Sequence, residues 1–237
     1  MLYSSTLGDN KVAAEILQTM MDKKVDGIIL APTSGLQTEV DAILKSDLPL
    51  VLFDRRIPGL DVSYVGTNNY EASREAVLHL LEQGYRKVGA VTITSEQPQM
   101  QDRIRGYRDV LEERNIPEKI LFTSFVDKES HPVKEITAWL KQNPEIDAIY
   151  FSTNYVCVAG LKAVQKLGKE KELGLIAFDD HEIFDLVQPR VSCVRQPLKK
   201  IAKSVVGILL DQVTNNGQEP LEKIIPSELK IRHVLSK

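Results

Sequence analysis

The stretch VGTNNYEASREAVLHLLEQGYRKVGAV, Val65 to Val91, decides how this chain is read. It runs as the end of one strand, a helix and the start of another strand. Asn68 followed three residues later by Glu71 predicts a capping pair at the helix start. Ala72, Ala76, Val77, Leu80 and Leu81 recur at helical spacing and form one apolar stripe. Gly84 supplies the left-handed stop. Lys87 to Ile93 is a mostly apolar, β-rich run, as expected of a strand buried on both faces. Strand–helix units lie on both sides of this stretch, which therefore reads as the joint between two similar halves.

Working outward, the first half reads as a short strand at Leu2–Ser5 and a helix capped by Asp9 with a stripe of Val12, Ala13, Ile16, Leu17, Met20 and Met21. A strand at Gly27–Leu30, a helix marked by Val40, Ile43 and Leu44, and strands at Leu50–Phe53 and Ser63–Val65 follow. The second half repeats the alternation. Helices are expected at 99–114, around Val133 to Leu140, after Asn154, and at 198–213. Strands are expected at 87–93, 120–124, 148–151, 174–178 and 191–194, with two short ones closing the chain. Alternation of this kind predicts parallel sheets with helices on both faces. Ligands of such sheets bind at the carboxyl ends of the strands. That rule selects loops 31–35, 54–59, 66–69, 94–103, 123–127, 152–155 and 178–182.

Composition narrows the function. Hydrophobic residues make up 43% and charged residues 27% of the 237, ordinary for a globular protein. A net charge of −3 gives no global basic footprint for nucleic acid. No apolar run approaches the ~20 residues of a membrane span. The start lacks the pattern of a signal peptide, and the expected setting is cytoplasmic. Cys157 and Cys193 stand alone, without metal or redox spacing, and read as reduced, buried, small apolar residues. No phosphate-binding glycine loop and no nucleophile elbow is present. The run Asp179-Asp-His-Glu182 looks most like a metal site, but consecutive loop residues rarely converge on one ion. The preferred reading has Asp179 accept from ligand hydroxyls and Asp180 cap the next helix. No cofactor, no metal and no catalysis are expected. Arg103, on the cleft side of its helix, can fork two hydrogen bonds onto adjacent oxygens, whereas Arg105 reads as a solvated face. Asn154 is a helix cap, a ligand contact, or both. Phe125, Tyr155 and Phe178 lie near the same rim, as stacking or as packing.

An ordered set of motifs carries a resemblance: GIILAP (27–32), LVLFDRRIPG (50–59), VGTNNYEAS (65–73), RIRGY (103–107), IYFSTN (149–154), IAFDD (176–180), CVRQP (193–197) and PSELKIR (226–232). Together they resemble the effector-binding core of LacI/GalR-family bacterial transcription regulators, which is similar to type I periplasmic sugar-binding proteins. The resemblance covers nearly the whole chain. It implies an α/β fold of two doubly wound parallel-sheet subdomains joined by three crossovers, near 85–87, 196–198 and 225–227. The first subdomain would be 1–86 plus 198–225 and the second 87–197 plus 226–237.

The resemblance further implies a small sugar-like effector in the interdomain cleft, bound by Arg103, Asn154, Asp179, Asn69, Gln196 and Phe125. It implies a homodimer pairing through the helix after Asn154, with Ala159, and the region of Leu186 and Val187. Operator DNA would be bound through a helix-turn-helix domain missing from this chain. The family's first core strand and helix are also missing, so the chain is expected to be a fragment. The family has Asp where Tyr155 stands. The alternative function is a periplasmic sugar-binding protein of a transport or chemotaxis system; an enzyme on a similar sheet is the third reading.

Overall fold

A computed structural model describes residues 1–6, 8–124, 130–188, 190–215 and 219–232. In chain order the elements are α1 (Asn10–Asp22), β1 (Ile28–Leu30), α2 (Gln37–Leu44), β2 (Leu50–Phe53), β3 (Ser63–Thr67), α3 (Asn69–Glu82), β4 (Val88–Ile93) and α4 (Pro98–Glu113). They continue with β5 (Ile120–Thr123), α5 (Ser130–Gln142), β6 (Ala148–Phe151), α6 (Asn154–Leu167), β7 (Gly174–Phe178), a 3₁₀ turn (Glu182–Asp185), β8 (Ser192–Arg195), α7 (Leu198–Thr214), β9 (Glu222–Ile225) and β10 (Glu228–Lys230). They fall into two units, Met1–Thr67 with Pro197–Ile225, and Asn68–Gln196 with Pro226–Lys237.

The first unit has a four-stranded sheet, order β1-β2-β3-β9, parallel throughout. Strand alternation divides its side chains between two layers. Leu50, Leu52 and Tyr64 pack with Ala13, Leu17, Val40 and Ile43 of α1 and α2. Val51 and Val65 point the other way, onto Ile201, Val205 and Ile208 of α7. The central strands β2 and β3 are covered on both faces and are buried along almost their whole length, whereas the edge strands β1 and β9 are partly exposed. Leu2–Ser5 is not a strand: it joins no ladder, and Leu2 and Tyr3 are exposed. A strand needs a neighbouring strand to pair with and an apolar face to bury, and this segment has neither a ladder nor buried apolar side chains.

The second unit has a six-stranded sheet, order β10-β8-β7-β6-β4-β5. Only β10 runs antiparallel, pairing Leu229 with Val194. One face, through Val88, Ala90, Tyr150, Ile176 and Phe178, carries α3 and α4. The other, through Val91, Ile149, Phe151, Ala177 and Cys193, carries α5 and α6. The thiols of Cys157 and Cys193 are buried and unbridged; burial pushes Cys193 up to about 11, so both stay protonated and inert at neutral pH.

The boundary near 86 moves. Helix α3 packs with the second unit, not the first, so residues 68–86 belong there. The stripe Ala72, Ala76, Val77, Leu80 covers the second sheet beside Ile104, Tyr107 and Leu111 of α4. The two helices touch at Gly106, where an added Cβ would sit 2.5 Å from the Tyr70 carbonyl oxygen and 3.0 Å from Ser73 Cβ. Tyr70 Oη donates to Asp109 at 2.7 Å, and Arg74 forks onto Glu113 at 2.9 and 2.8 Å. A periodic stripe shows that a helix is covered, not which sheet covers it. Gly84, at φ +95°, ends α3 as expected. Asn68 makes no side-chain cap; its Oδ1 instead accepts from Ser227 N at 2.8 Å.

Candidate functional site

In the second unit, the carboxyl ends of β6 and β7 and the amino ends of α3 and α4 bring together polar residues remote in sequence. Arg103 stands on the second turn of α4, only 3% exposed. Its position follows from the α4 stripe: Ile104, Tyr107 and Leu111 face the sheet, and Arg103 lies at the edge of that face nearest the strand ends. Its Nε donates to Asn69 Oδ1 at 2.9 Å, and its Nη1 donates to the Ser152 carbonyl at 2.8 Å and to Asp179 Oδ2 at 3.2 Å. The guanidinium carbon sits 3.7 Å from the centroid of the Phe178 ring, a cation–π contact that offsets part of its desolvation. Gln196 Nε2 donates to the other Asp179 oxygen at 2.6 Å. Four of the six residues expected at the site, Arg103, Asn69, Asp179 and Gln196, therefore form one hydrogen-bonded cluster.

Asp179 is held in an unusual backbone conformation. Its φ is +72°, in the left-handed region that costs a non-glycine residue about 1 kcal/mol or more. Its N–H still completes the ladder by donating to the Val194 carbonyl at 2.9 Å. The strained turn leaves the carboxylate between Arg103 and Gln196.

Asn154 opens α6, but the side-chain cap is Thr153, whose hydroxyl accepts from Val156 N at 3.4 Å. Asn154 Nδ2 donates instead to the Asp180 carbonyl at 3.1 Å. Asn154 is thus tied to the turn holding Asp179, and to the cluster only through it. Asp180 does not cap the 3₁₀ turn; His181 does, accepting at Nδ1 from Ile183 N at 3.1 Å. Phe125 lies outside the described residues. Phe178 is not a rim aromatic: its ring is fully buried beneath Arg103. Among the described residues no group of three or more His, Cys, Asp or Glu could hold a metal.

Two further residues of this unit escaped the sequence reading. Gln99, one helical turn before Arg103, is buried; its Nε2 donates to Gln97 at 3.1 Å, while its Oε1 has no hydrogen-bond partner. Tyr150 is fully buried and its hydroxyl lies 2.7 Å from Ser73 Oγ; burial raises its pKa far above the ordinary phenol value, so it stays neutral. Spacing of i, i+4 from Arg103 could have singled out Gln99. Nothing local marks Tyr150.

The first unit has its own polar set at the carboxyl ends of β1 and β2. Asp54 has φ +61° and accepts at its carbonyl from Tyr64 Oη at 3.1 Å. Arg55 Nε is buried with no hydrogen-bond partner, and lies 3.7 Å from Asp54 Oδ2. Thr33 Oγ1, in the loop after β1, is likewise buried and without a hydrogen-bond partner. Unpaired buried polar atoms are uncommon, and a ligand is one way to satisfy them. The sequence signal was the DRR run directly after a strand.

Both units are α/β sheets with polar groups gathered at strand carboxyl ends, the arrangement of small-molecule binding domains. The chain belongs to the periplasmic binding protein domain family, whose model matches residues 2–184. It is 29% identical over 224 residues to the ribose operon repressor of Haemophilus influenzae, covering 92% of this chain and 66% of that relative, just under two thirds of its length. Two solved structures show the fold. A LacI-family transcriptional regulator from Enterococcus faecium with bound ribose superposes at a TM-score of 0.82, with 21% identity, covering 93% of this chain and 83% of that one. The Cra transcriptional dual regulator from Pseudomonas putida in complex with fructose 1-phosphate superposes at 0.87, with 17% identity, covering 98% and 87%. Among the described residues no helix is long and apolar enough to cross a membrane.

Proposed function

We propose that this chain is the effector-binding part of a LacI-type DNA-binding transcription regulator, and that its effector is a small neutral sugar. One observation carries the reading: the Arg103–Asp179 pair braced by Asn69 and Gln196 at the strand ends. A guanidinium and a carboxylate side by side match adjacent hydroxyls, one donating and one accepting. Their charges cancel, which favours a neutral polyol over an anion needing surplus positive charge. Arg103, Asn69, Asp179 and Gln196 are the proposed contacts, with Asn154 beside them. The ribose named for the repressor and the Enterococcus structure fits this chemistry; a phosphorylated sugar fits it less well.

The role is binding without turnover, in a cytoplasmic homodimer that engages operator DNA through a separate domain. Ligand would shift a two-state equilibrium, and DNA affinity would change by the same coupling. Thermal unfolding with neutral pentoses and hexoses and with fructose 1-phosphate tests the effector class. A concentration-dependent rise in Tm with a neutral sugar and none with the phosphate ester is expected. A rise with the phosphate ester alone contradicts the reading.

A further inference from the structure

Arg232 follows the C-terminal strand β10 in the second unit, and its side chain is only 4% exposed. Its Nη2 donates to Asp180 Oδ1, its Nε to Asp185 Oδ1 at 2.7 Å, and its Nη1 to the Val191 carbonyl at 3.1 Å, with Cys193 Sγ 3.0 Å away. Lys230 Nζ adds a second cation 3.4 Å from Asp180 Oδ2. Asp180 is thereby fixed from outside. Asp180 also closes the turn: the same Oδ1 accepts from His181 N at 2.8 Å, and its carbonyl accepts from Asn154. Asp179, immediately before it, is the residue at φ +72°.

Aspartate tolerates the left-handed region better than most residues, but on its own it still favours negative φ. Such a conformation persists only where the surroundings over-determine it. Upstream, Asp179 is fixed by its ladder bond to Val194; downstream, the restraint comes through Asp180. We propose that Arg232 is a positioning residue for Asp179: by gripping the Asp180 carboxylate it keeps Asp179 in the conformation that presents its carboxylate to Arg103, Gln196 and the effector. This rests on the reading of Asp179 as an effector contact. The chain's last strand then does more than complete the sheet, because ligand affinity depends on its being docked.

The test is amide hydrogen exchange by NMR on the whole chain, together with D-ribose titration, for wild type, Arg232→Gln, Arg232→Lys and Asp180→Asn. In Arg232→Gln and Asp180→Asn, exchange at the Asp179 and His181 amides should rise at least about tenfold, while the Ile176 and Ala177 amides of β7 keep wild-type protection. Arg232→Lys, which keeps the charge and loses the fork, should fall between, and D-ribose affinity should drop in the same order. Unchanged exchange at Asp179 and His181 overturns the proposal, as does equal acceleration along all of β7, which would mark Arg232 as a general support. If Arg232→Gln does not fold, Asp180→Asn decides, because it leaves Arg232 bound to Asp185 and Val191. Failure of wild type to bind D-ribose would contradict the ribose assignment alone; the exchange pattern still judges the positioning role.

Discussion

Arg103 and Asp179 meet across 76 residues of sequence, Nη1 to Oδ2 at 3.2 Å, and the pair is lopsided: the Arg103 side chain is 4% exposed and that of Asp179 25%. The arginine is the sunken partner and the aspartate the one solvent reaches. Removing the carboxylate leaves a buried guanidinium without its counter-charge. We expect Asp179→Ala to destabilise the chain by about 2–3 kcal/mol, below the cost of breaking a fully buried pair because Asp179 is partly solvated. Asp179→Asn should cost about 1 kcal/mol less, since asparagine keeps an acceptor and tolerates positive φ. Urea denaturation of the two variants checks this; wild-type stability in both would mean that the pair does not matter, and equal losses that neither the acceptor nor the backbone strain does.

Gly106 makes a second prediction. A Cβ there meets the Tyr70 carbonyl oxygen and Ser73, so Gly106→Ala should cost about 1–3 kcal/mol by overpacking α3 against α4, despite alanine's better helix propensity. Wild-type stability in this variant would show that α3 is not seated on the second unit as described.

Acid sensitivity follows from Arg232. Its hydrogen bond holds the Asp185 carboxyl down to about 2. At Asp180, burial pushes the pKa up, but hydrogen bonds from Arg232 and Cys193 and the charges of Arg232 and Lys230 outweigh it and leave the value below the ordinary one. Folded values below the unfolded ones mean stability that is complete above pH about 4 and lost as pH falls through the folded values. Asp185 is more than half exposed, so its share is small and weakens with salt. Melting temperatures between pH about 5 and 2 should fall less steeply for Asp185→Asn than for wild type, from a lower starting point. Parallel curves would contradict the assignment.

The homodimer proposal rests on the surface beyond the 3₁₀ turn. Leu186 is 83% exposed there, whereas Ala159 is buried and Val187 is only partly exposed, packed against the core. Leu186 is thus the informative position. Leu186→Arg should give a folded monomer by light scattering, because two-fold pairing places each substitution in the interface twice. An unchanged dimer would put the interface elsewhere.

Much of the fold was legible because hydrophobic period and turn chemistry are local. Strand β4, the stop at Gly84 and the Asp9 cap, whose side chain accepts from Val12 N, all follow from neighbours in sequence. The cluster of Arg103, Asn69, Asp179 and Gln196 was reached from motif order and strand-end position, not from their mutual bonds. What stayed hidden is set by partners far along the chain. Asn68 reads as a cap, yet its oxygen serves Ser227, 159 residues away. Helix α3 displays a stripe without an address. Aspartate tolerates positive φ better than most residues, but which aspartates adopt it, here Asp54 and Asp179, is decided by surroundings, and Arg232 is one more charged residue near the last described strand until Asp180 and Asp185 are placed around it.

The central claim is that Arg103 and Asp179 hold the effector. Calorimetric titration of wild type, Arg103→Ala and Asp179→Ala with the neutral sugar that most raises the wild-type Tm tests it directly, with circular dichroism to verify that each variant is folded. Each substitution removes charge-assisted hydrogen bonds and should weaken binding by about 2–3 kcal/mol, roughly 30- to 150-fold in Kd. Affinities within about twofold of wild type for both folded variants would place the effector elsewhere and contradict the account.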